Sequence, residues 1–140
     1  MKKPMQFNTK TIHGGQEPDP AYGAVMPPIY QTSTYAQAEP GGHKGYEYSR
    51  THNPTRTALE KSMASIENGE YGLCFASGLA AIDAVIKLLQ PGDEVLSSND
   101  LYGGSYRLFA KIFEGMGIRF HFVDLTDPQR VAEKLNDKTK

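Results

Sequence analysis

Three short stretches of this chain carry residue types that suit an anion beside a planar ring. In Ala76-Ser77-Gly78-Leu79 an apolar run ends in a small hydroxyl residue and a glycine, and a helical pattern starts at once. The first amides of a helix have no acceptor inside it and sit at the positive end of its dipole. The amides of Gly78 and Leu79, joined by the Ser77 hydroxyl, would therefore hold a phosphate. The same residues also read as an ordinary N-cap, since neither a Walker lysine nor a dinucleotide fingerprint accompanies them. In Tyr102-Gly103-Gly104 a ring sits on a flexible turn, where it either stacks on a planar ligand or packs over a sheet end. Arg107, one turn further, suits a carboxylate or simply a solvated helix face. Finally, in Tyr46-Glu47-Tyr48-Ser49-Arg50 an extended backbone would point Tyr46, Tyr48 and Arg50 one way and Glu47 with Ser49 the other. A phenol and a guanidinium on one side suit a phosphate; Glu47 is either a group at the mouth of a site or a solvated carboxylate.

The elements that must position these stretches are marked by regular punctuation from Asn53 onward. Asn53 followed by Pro54 reads as an N-cap with proline at the first helical position, and Leu59, Met63 and Ile66 recur at helical spacing until Asn68-Gly69. Tyr71 to Ala76 reads as a short buried strand, Leu79 to Gln90 as a helix ended by Pro91-Gly92, and Glu94 to Ser98 as a second strand. Leu108, Ile112, Phe113 and Met116 predict a helix broken by Gly117. Ile118 to Asp124 follows as a third strand, and Asp127-Pro128 opens a last helix. Alternation of strand and helix with short connections predicts an α/β fold with a mostly parallel sheet and flanking helices. In such a sheet ligands sit beyond the carboxyl ends of the strands, which is where the Ser77 and Tyr102 loops fall. A further strand is expected at Asn136 to Lys140, so the chain reads as part of a longer protein.

Upstream of this pattern, residues 1–53 hold six of the nine prolines and show no helical or sustained alternating period. So Pro-, Gly- and Tyr-rich a stretch cannot bury its own rings, and disordered tails are poor in aromatics. Tyr22, Tyr30, Tyr35, Tyr46 and Tyr48 thus predict an extended arm that docks on another surface, best a second subunit.

Fifteen Lys+Arg against sixteen Asp+Glu leave a net charge of −1, which disfavours nucleic acid and anionic membranes as partners. Cys74 has no partner cysteine, and His13, His43, His52 and His121 match no metal-site spacing, so no disulfide and no metal are expected. The lack of an apolar run of membrane-spanning length, together with a lone cysteine, predicts a cytoplasmic protein.

Taken together, Tyr48-Ser49-Arg50-Thr51-His52-Asn53-Pro54-Thr55, Ala76-Ser77-Gly78-Leu79-Ala80-Ala81 and Tyr102-Gly103-Gly104, in this order and spacing, resemble the Cys/Met-metabolism family of pyridoxal-phosphate enzymes. The resemblance runs from about Thr9 to Lys140. It implies the aspartate-aminotransferase-like fold (fold type I), with residues 1–53 as an N-terminal arm and residues 54–140 as the first part of the cofactor-binding large domain. It implies pyridoxal 5'-phosphate (PLP) as cofactor and homodimer pairs within a homotetramer. Ser77, Gly78 and Leu79 would hold the cofactor phosphate in their own subunit, while Tyr48 and Arg50 would reach the phosphate in the neighbouring subunit. Tyr102 would stack on the cofactor ring and assist proton transfer at the substrate amine, and Arg107 would face the substrate's distal carboxylate.

Within the family, the Tyr-Ser-Arg-x-x-Asn-Pro-Thr form looks like the γ-acting enzymes rather than the β-lyases. Glu47 before Tyr48 is similar to cystathionine γ-synthases and γ-lyases, where it would receive the distal ammonium of cystathionine. Methionine γ-lyases usually place a cysteine where this chain has Gly104, and homoserine-ester sulfhydrylases are the other alternative. None of the ten lysines has the family's cofactor-lysine motif, so the 140 residues alone are expected to be inactive. A reading of another class is a truncated, non-catalytic interaction module.

Overall fold

The computed structural model describes residues 5–140, and its contacts divide the chain into two compact units that meet in sequence between Cys74 and Phe75. In the first unit, α1 (Phe7–His13) packs against α2 (Pro54–Ile66). The expectation of an N-terminal stretch without a helix is corrected by α1. It is one short helix with Phe7 and Ile12 exposed, so its apolar residues carry no core stripe that periodicity could reveal. Between the two helices the chain is irregular and frames an open recess of about 940 Å³, lined by Pro18, Pro20, Pro27, Pro28, Tyr35 and Tyr46 among others.

Helix α2 begins as the sequence predicts. Asn53 is its N-cap, accepting from Thr55 N at 2.8 Å, with Pro54 at the first helical position. The same residue does more than cap: its amide donates to Tyr30 O and to Ser49 Oγ, each at 3.0 Å, and Thr55 Oγ1 accepts from Tyr30 N at 2.9 Å. Three stretches that local pattern cannot join are thus tied at one helix start.

The strand expected over Tyr71 to Ala76 does not form. Residues 71–74 keep strand-like alternation, with Gly72 and Cys74 half-buried and Tyr71 and Leu73 exposed, but no strand of the described residues pairs with them. Extended backbone without a ladder is not a strand. The segment lies against α2 instead: Cys74 N donates to Glu60 Oε1 at 3.0 Å, and a Cβ at Gly72 would fall 2.2 Å from the Glu60 carbonyl oxygen. Only glycine allows that approach.

The second unit is a βαβ arrangement preceded and followed by helices. It runs through α3 (Gly78–Ile86), β1 (Glu94–Ser98), α4 (Gly103–Leu108), β2 (Arg119–Val123) and α5 (Pro128–Lys134). β1 and β2 are parallel and in register from Glu94↔Arg119 to Ser98↔Val123. The α/β fold with a parallel sheet and flanking helices is therefore present, with two of the three expected strands. α3 ends four residues before the expected Gln90, in a turn, and α4 passes into a π-helical turn (Phe109–Phe113) and a 3₁₀ turn (Glu114–Met116) that Gly117 closes at φ 87°. The wider turn brings Phe109 and Phe113 to the core with Ile86, Ile118 and Phe120, and the rings of Phe109 and Phe120 stack at 4.5 Å.

At the amino end of β1, Glu94 is buried and accepts from three side chains: His121 Nε2 at 2.7 Å, Asn136 Nδ2 at 2.9 Å and Arg119 Nη1 at 3.4 Å. Its own amide and carbonyl pair with Lys138 and Lys140, giving a parallel bridge to Thr139 where a further strand was expected. The bonds from Asn136 and His121 hold the carboxyl below its usual range, outweighing the opposing effect of burial. A depressed carboxyl stabilises the fold above its unfolded pKa, and that contribution is lost as pH falls through the ordinary carboxylate range toward the folded value. In the full-length protein, the gap in thermal midpoint between parent and Glu94→Gln should therefore be widest near neutrality and close on acidification below about pH 4. A gap that does not vary with pH would assign Glu94 a packing role only.

Candidate functional site

In the second unit Ser77 is the N-cap of α3, its Oγ accepting from Ala80 N at 3.1 Å. The ordinary N-cap reading is thus realised, and it leaves the phosphate reading intact. The hydroxyl proton is still available, and the amides of Gly78 and Leu79, in the first turn, lack a helical acceptor. Among the described residues no hydrogen bond uses them. Ser77 and Gly78 are exposed, and the space where a Cβ of Gly78 would stand is empty out to 4 Å.

Tyr102 occupies the N-cap position of α4, beyond the carboxyl end of β1, and its ring is 72% exposed. The ring therefore does not pack over the sheet end; Tyr106 does so instead, 5.2 Å from Phe122. The neighbour of Tyr102 leaves its ring room: a Cβ at Gly104 would lie 2.4 Å from Tyr102 Cε1. Buried Gly104 provides the gap into which the ring folds. Arg107 is exposed on α4.

In the first unit the structure brings Tyr48 and Arg50 together by a route other than alternation. Tyr48 forms an antiparallel bridge with Thr34, after which the chain turns: Thr51 N and His52 N both donate to Tyr48 O, at 3.1 and 2.9 Å. The extended run through Arg50 is thus corrected to a bridge and a tight turn. The turn folds Arg50 back so that Nη2 donates to the Tyr48 phenol at 2.8 Å and its guanidinium lies 5.0 Å from the ring centroid. Tyr46 leaves the pair and packs on Tyr35, centroids 5.9 Å apart. Glu47 is exposed, and its carbonyl accepts from Tyr35 N at 3.1 Å.

Charge pairing separates the five arginines. Arg56, Arg119 and Arg130 each meet a carboxylate, whereas among the described residues Arg50 and Arg107 meet none. Each unit thus carries donors that suit a phosphate dianion: in the first a guanidinium on a phenol that meets no carboxylate among the described residues, in the second a helix start whose first amides no described residue uses. Two residues with structural reach were not singled out in the sequence. His121 was one of four scattered histidines until the register set Arg119 opposite Glu94 and so put His121, two residues on, on the same strand face. Arg56 lies in an unremarkable helical turn, and only its bonds to the carbonyls of the preceding turn distinguish it.

These features match known proteins. The family described as Cys/Met metabolism PLP-dependent enzyme matches residues 8–140. A cystathionine β-lyase of Coxiella burnetii is 53% identical over 139 residues, 99% of this chain and 36% of that protein. A probable cystathionine γ-synthase of Herpetosiphon aurantiacus is 48% identical over 134 residues, 96% of this chain and 42% of the relative. The crystal structure of metB from Corynebacterium glutamicum superposes with a TM-score of 0.89 at 42% identity, covering 99% of this chain and 37% of that one.

The chain belongs to the Cys/Met metabolism family of PLP-dependent enzymes, and its fold is the N-terminal part of the fold type I architecture. It spans 36% and 42% of the length of the two relatives just described. Their names divide between β-lyase and γ-synthase at similar identity, so likeness does not separate γ- from β-chemistry. No helix among the described residues is long and apolar enough to cross a membrane.

Proposed function

We propose that this chain supplies the N-terminal third of a cytoplasmic, PLP-dependent transsulfuration enzyme of methionine and cysteine metabolism, acting at the γ-carbon as a cystathionine γ-synthase or γ-lyase. The observation that carries this reading is the Tyr48/Arg50 pair, which meets no carboxylate among the described residues, in a chain of a phosphate-cofactor family. The Gly78 and Leu79 amides and the Ser77 hydroxyl bind the phosphate in their own subunit, and Tyr48 and Arg50 close the same phosphate from a second subunit of a homodimer, paired into a homotetramer. When bound, PLP supplies an electron sink for carbanions of an amino-acid substrate. Tyr102, at the sheet's carboxyl edge, covers the cofactor ring and moves a proton at the substrate nitrogen. Arg107 holds the distal carboxylate, and the glycines beside Tyr102 let its ring approach without displacing backbone.

A second reading, β-elimination from the same substrate, is favoured by the name of the Coxiella burnetii relative. Sulfhydrylation of a homoserine ester and methionine γ-elimination are further alternatives within the family. In every case the cofactor lysine lies outside residues 1–140, and these residues alone are inactive; a cofactor-binding lysine downstream is what separates an enzyme from a non-catalytic module. Borohydride reduction of the reconstituted full-length protein should fix the cofactor to a lysine peptide outside this range. Label on a peptide within it, or no label anywhere, would overturn the reading. Product analysis with cystathionine then separates the chemistries, because γ-elimination releases cysteine and β-elimination releases homocysteine.

Glu47 is assigned to substrate choice. It stands next to Tyr48 but is turned to solvent, so it meets the distal ammonium of cystathionine rather than the phosphate. An exposed charge contact is worth little, and a partly desolvated one more, so Glu47→Gln should lower kcat/KM for cystathionine roughly three- to tenfold with unchanged cofactor affinity. Identical kinetics in parent and variant would leave Glu47 a solvated carboxylate and reopen the homoserine-ester alternative.

A further inference from the structure

Arg56 sits in the first turn of α2, the wrong end of a helix for a cation, because the dipole there is positive. Its contacts account for the placement. Nη1 donates to Ser49 O and Arg50 O, each at 3.4 Å, and Nη2 donates to Thr51 O. Three consecutive carbonyls, those of the turn that folds Arg50 onto Tyr48, therefore converge on one planar guanidinium. On its other side Nε faces Glu60 Oε1 at 3.5 Å, and that oxygen also accepts from Cys74 N. Arg56 and Glu60 are both only partly exposed, at 32% and 17%. The carboxylate balances the cation where the helix dipole does not.

Carbonyls that share one rigid guanidinium fork are held relative to one another, which restrains the turn they belong to. Without the guanidinium the three oxygens would turn to water, and the turn would be left to the bonds of Thr51 N and His52 N to Tyr48 O and of Ser49 N to Ser33 O, none of which uses the amide or carbonyl of Arg50. Arg50 is held on Tyr48 by a single hydrogen bond and a cation–π contact, neither of which restrains the backbone.

We propose that Arg56 is a positioning residue for the Tyr48/Arg50 pair. Held by Glu60, it locks the Ser49–Thr51 turn so that phenol and guanidinium meet an anion as one preformed unit. This rests on the reading that Tyr48 and Arg50 bind the cofactor phosphate, and it assigns Arg56 no contact with that phosphate.

A double-variant cycle on the full-length apoenzyme, titrated with PLP and followed by absorbance, tests it. Arg56→Ala should weaken PLP binding about tenfold and Arg56→Lys nearly as much, since a single ammonium lacks the fork that reaches three carbonyls and Glu60 at once. In an Arg50→Ala background, Arg56→Ala should add less than about twofold, because the turn then has nothing to position. Additive losses, or full affinity in Arg56→Ala with Arg50 intact, would overturn the positioning role while leaving the phosphate reading in place. Full affinity in Arg50→Ala alone would overturn that reading and the positioning role with it. Should Arg56→Ala fail to fold, as circular dichroism would show, Arg56→Gln carries the same cycle with the same expected non-additivity.

Discussion

Tyr102→Phe in the full-length enzyme is expected to lower kcat by roughly 10²- to 10⁴-fold, the range for loss of one positioned proton-transfer group, with cofactor affinity nearly unchanged. The effect follows from how the ring is held. It stands exposed at the N-cap of α4, past the end of β1, and its neighbour Gly104 has no Cβ to push it away. Phenylalanine fits the same gap and keeps the same face, so stacking persists and only the hydroxyl is lost. Tyr102→Ala removes both and should also weaken the cofactor, by about the 0.5–1.5 kcal/mol that an aromatic stack contributes beyond area burial. Gly104→Ala probes the placement without touching the ring, since its methyl would occupy the space of Cε1 and force another rotamer. It should lower kcat in the same direction as Tyr102→Phe. Stopped-flow and steady-state kinetics on the three variants decide the matter: a Tyr102→Phe enzyme within about threefold of the parent would remove the hydroxyl from the proton pathway and leave the ring a stacking group.

What could be read from the sequence, and what could not, follows from the range of the interactions involved. Asn53-Pro54 and Asp127-Pro128 announce helix starts because capping is satisfied within three residues, and both caps form, Asp127 accepting from Gln129 N and Arg130 N. The bounds Glu94–Ser98 agree with expectation because the strand is set off by Gly92 and by Asn99. Tyr71 to Ala76 carries the same kind of local signal and is not a strand, since a ladder depends on a neighbour whose place the segment does not encode. The site divides in the same way. The Tyr102 loop was legible as a turn past the end of a strand, and Ser77 as a helix cap, although the strand expected before Ser77 does not form. The meeting of Tyr48 with Arg50 was legible, but its cause was not: residues two apart share a side in a strand, whereas here a turn made by Tyr48 O brings them together. Glu94 with His121 depends on folding at distance; Arg56 meets carbonyls only five to seven residues before it, but through a turn that no residue type there announces.

Loss of Arg50 should weaken cofactor binding about ten- to a hundredfold, the 1.5–3 kcal/mol of a charge-assisted hydrogen bond to a dianion, and the loss should be repairable by another subunit. Among the described residues Arg50 meets no carboxylate and only the Tyr48 phenol, so its removal frees no buried charge and leaves the fold intact. Whether it serves its own site or a partner's can be read from hybrids. Arg50→Ala subunits keep their cofactor lysine, and subunits lacking that lysine keep Arg50. If Arg50 acts in trans, a hybrid dimer has one site with both groups native and one with neither, so an equal mixture regains about a quarter of parental activity after random exchange. If it acts in cis, each hybrid site lacks one group and nothing is regained beyond the residual rate of Arg50→Ala. Exchange itself must be followed by native mass spectrometry of differently tagged subunits. Complete exchange with no gain in rate would place Arg50 in its own subunit's site and remove the reason for the aromatic arm to cross to a neighbour.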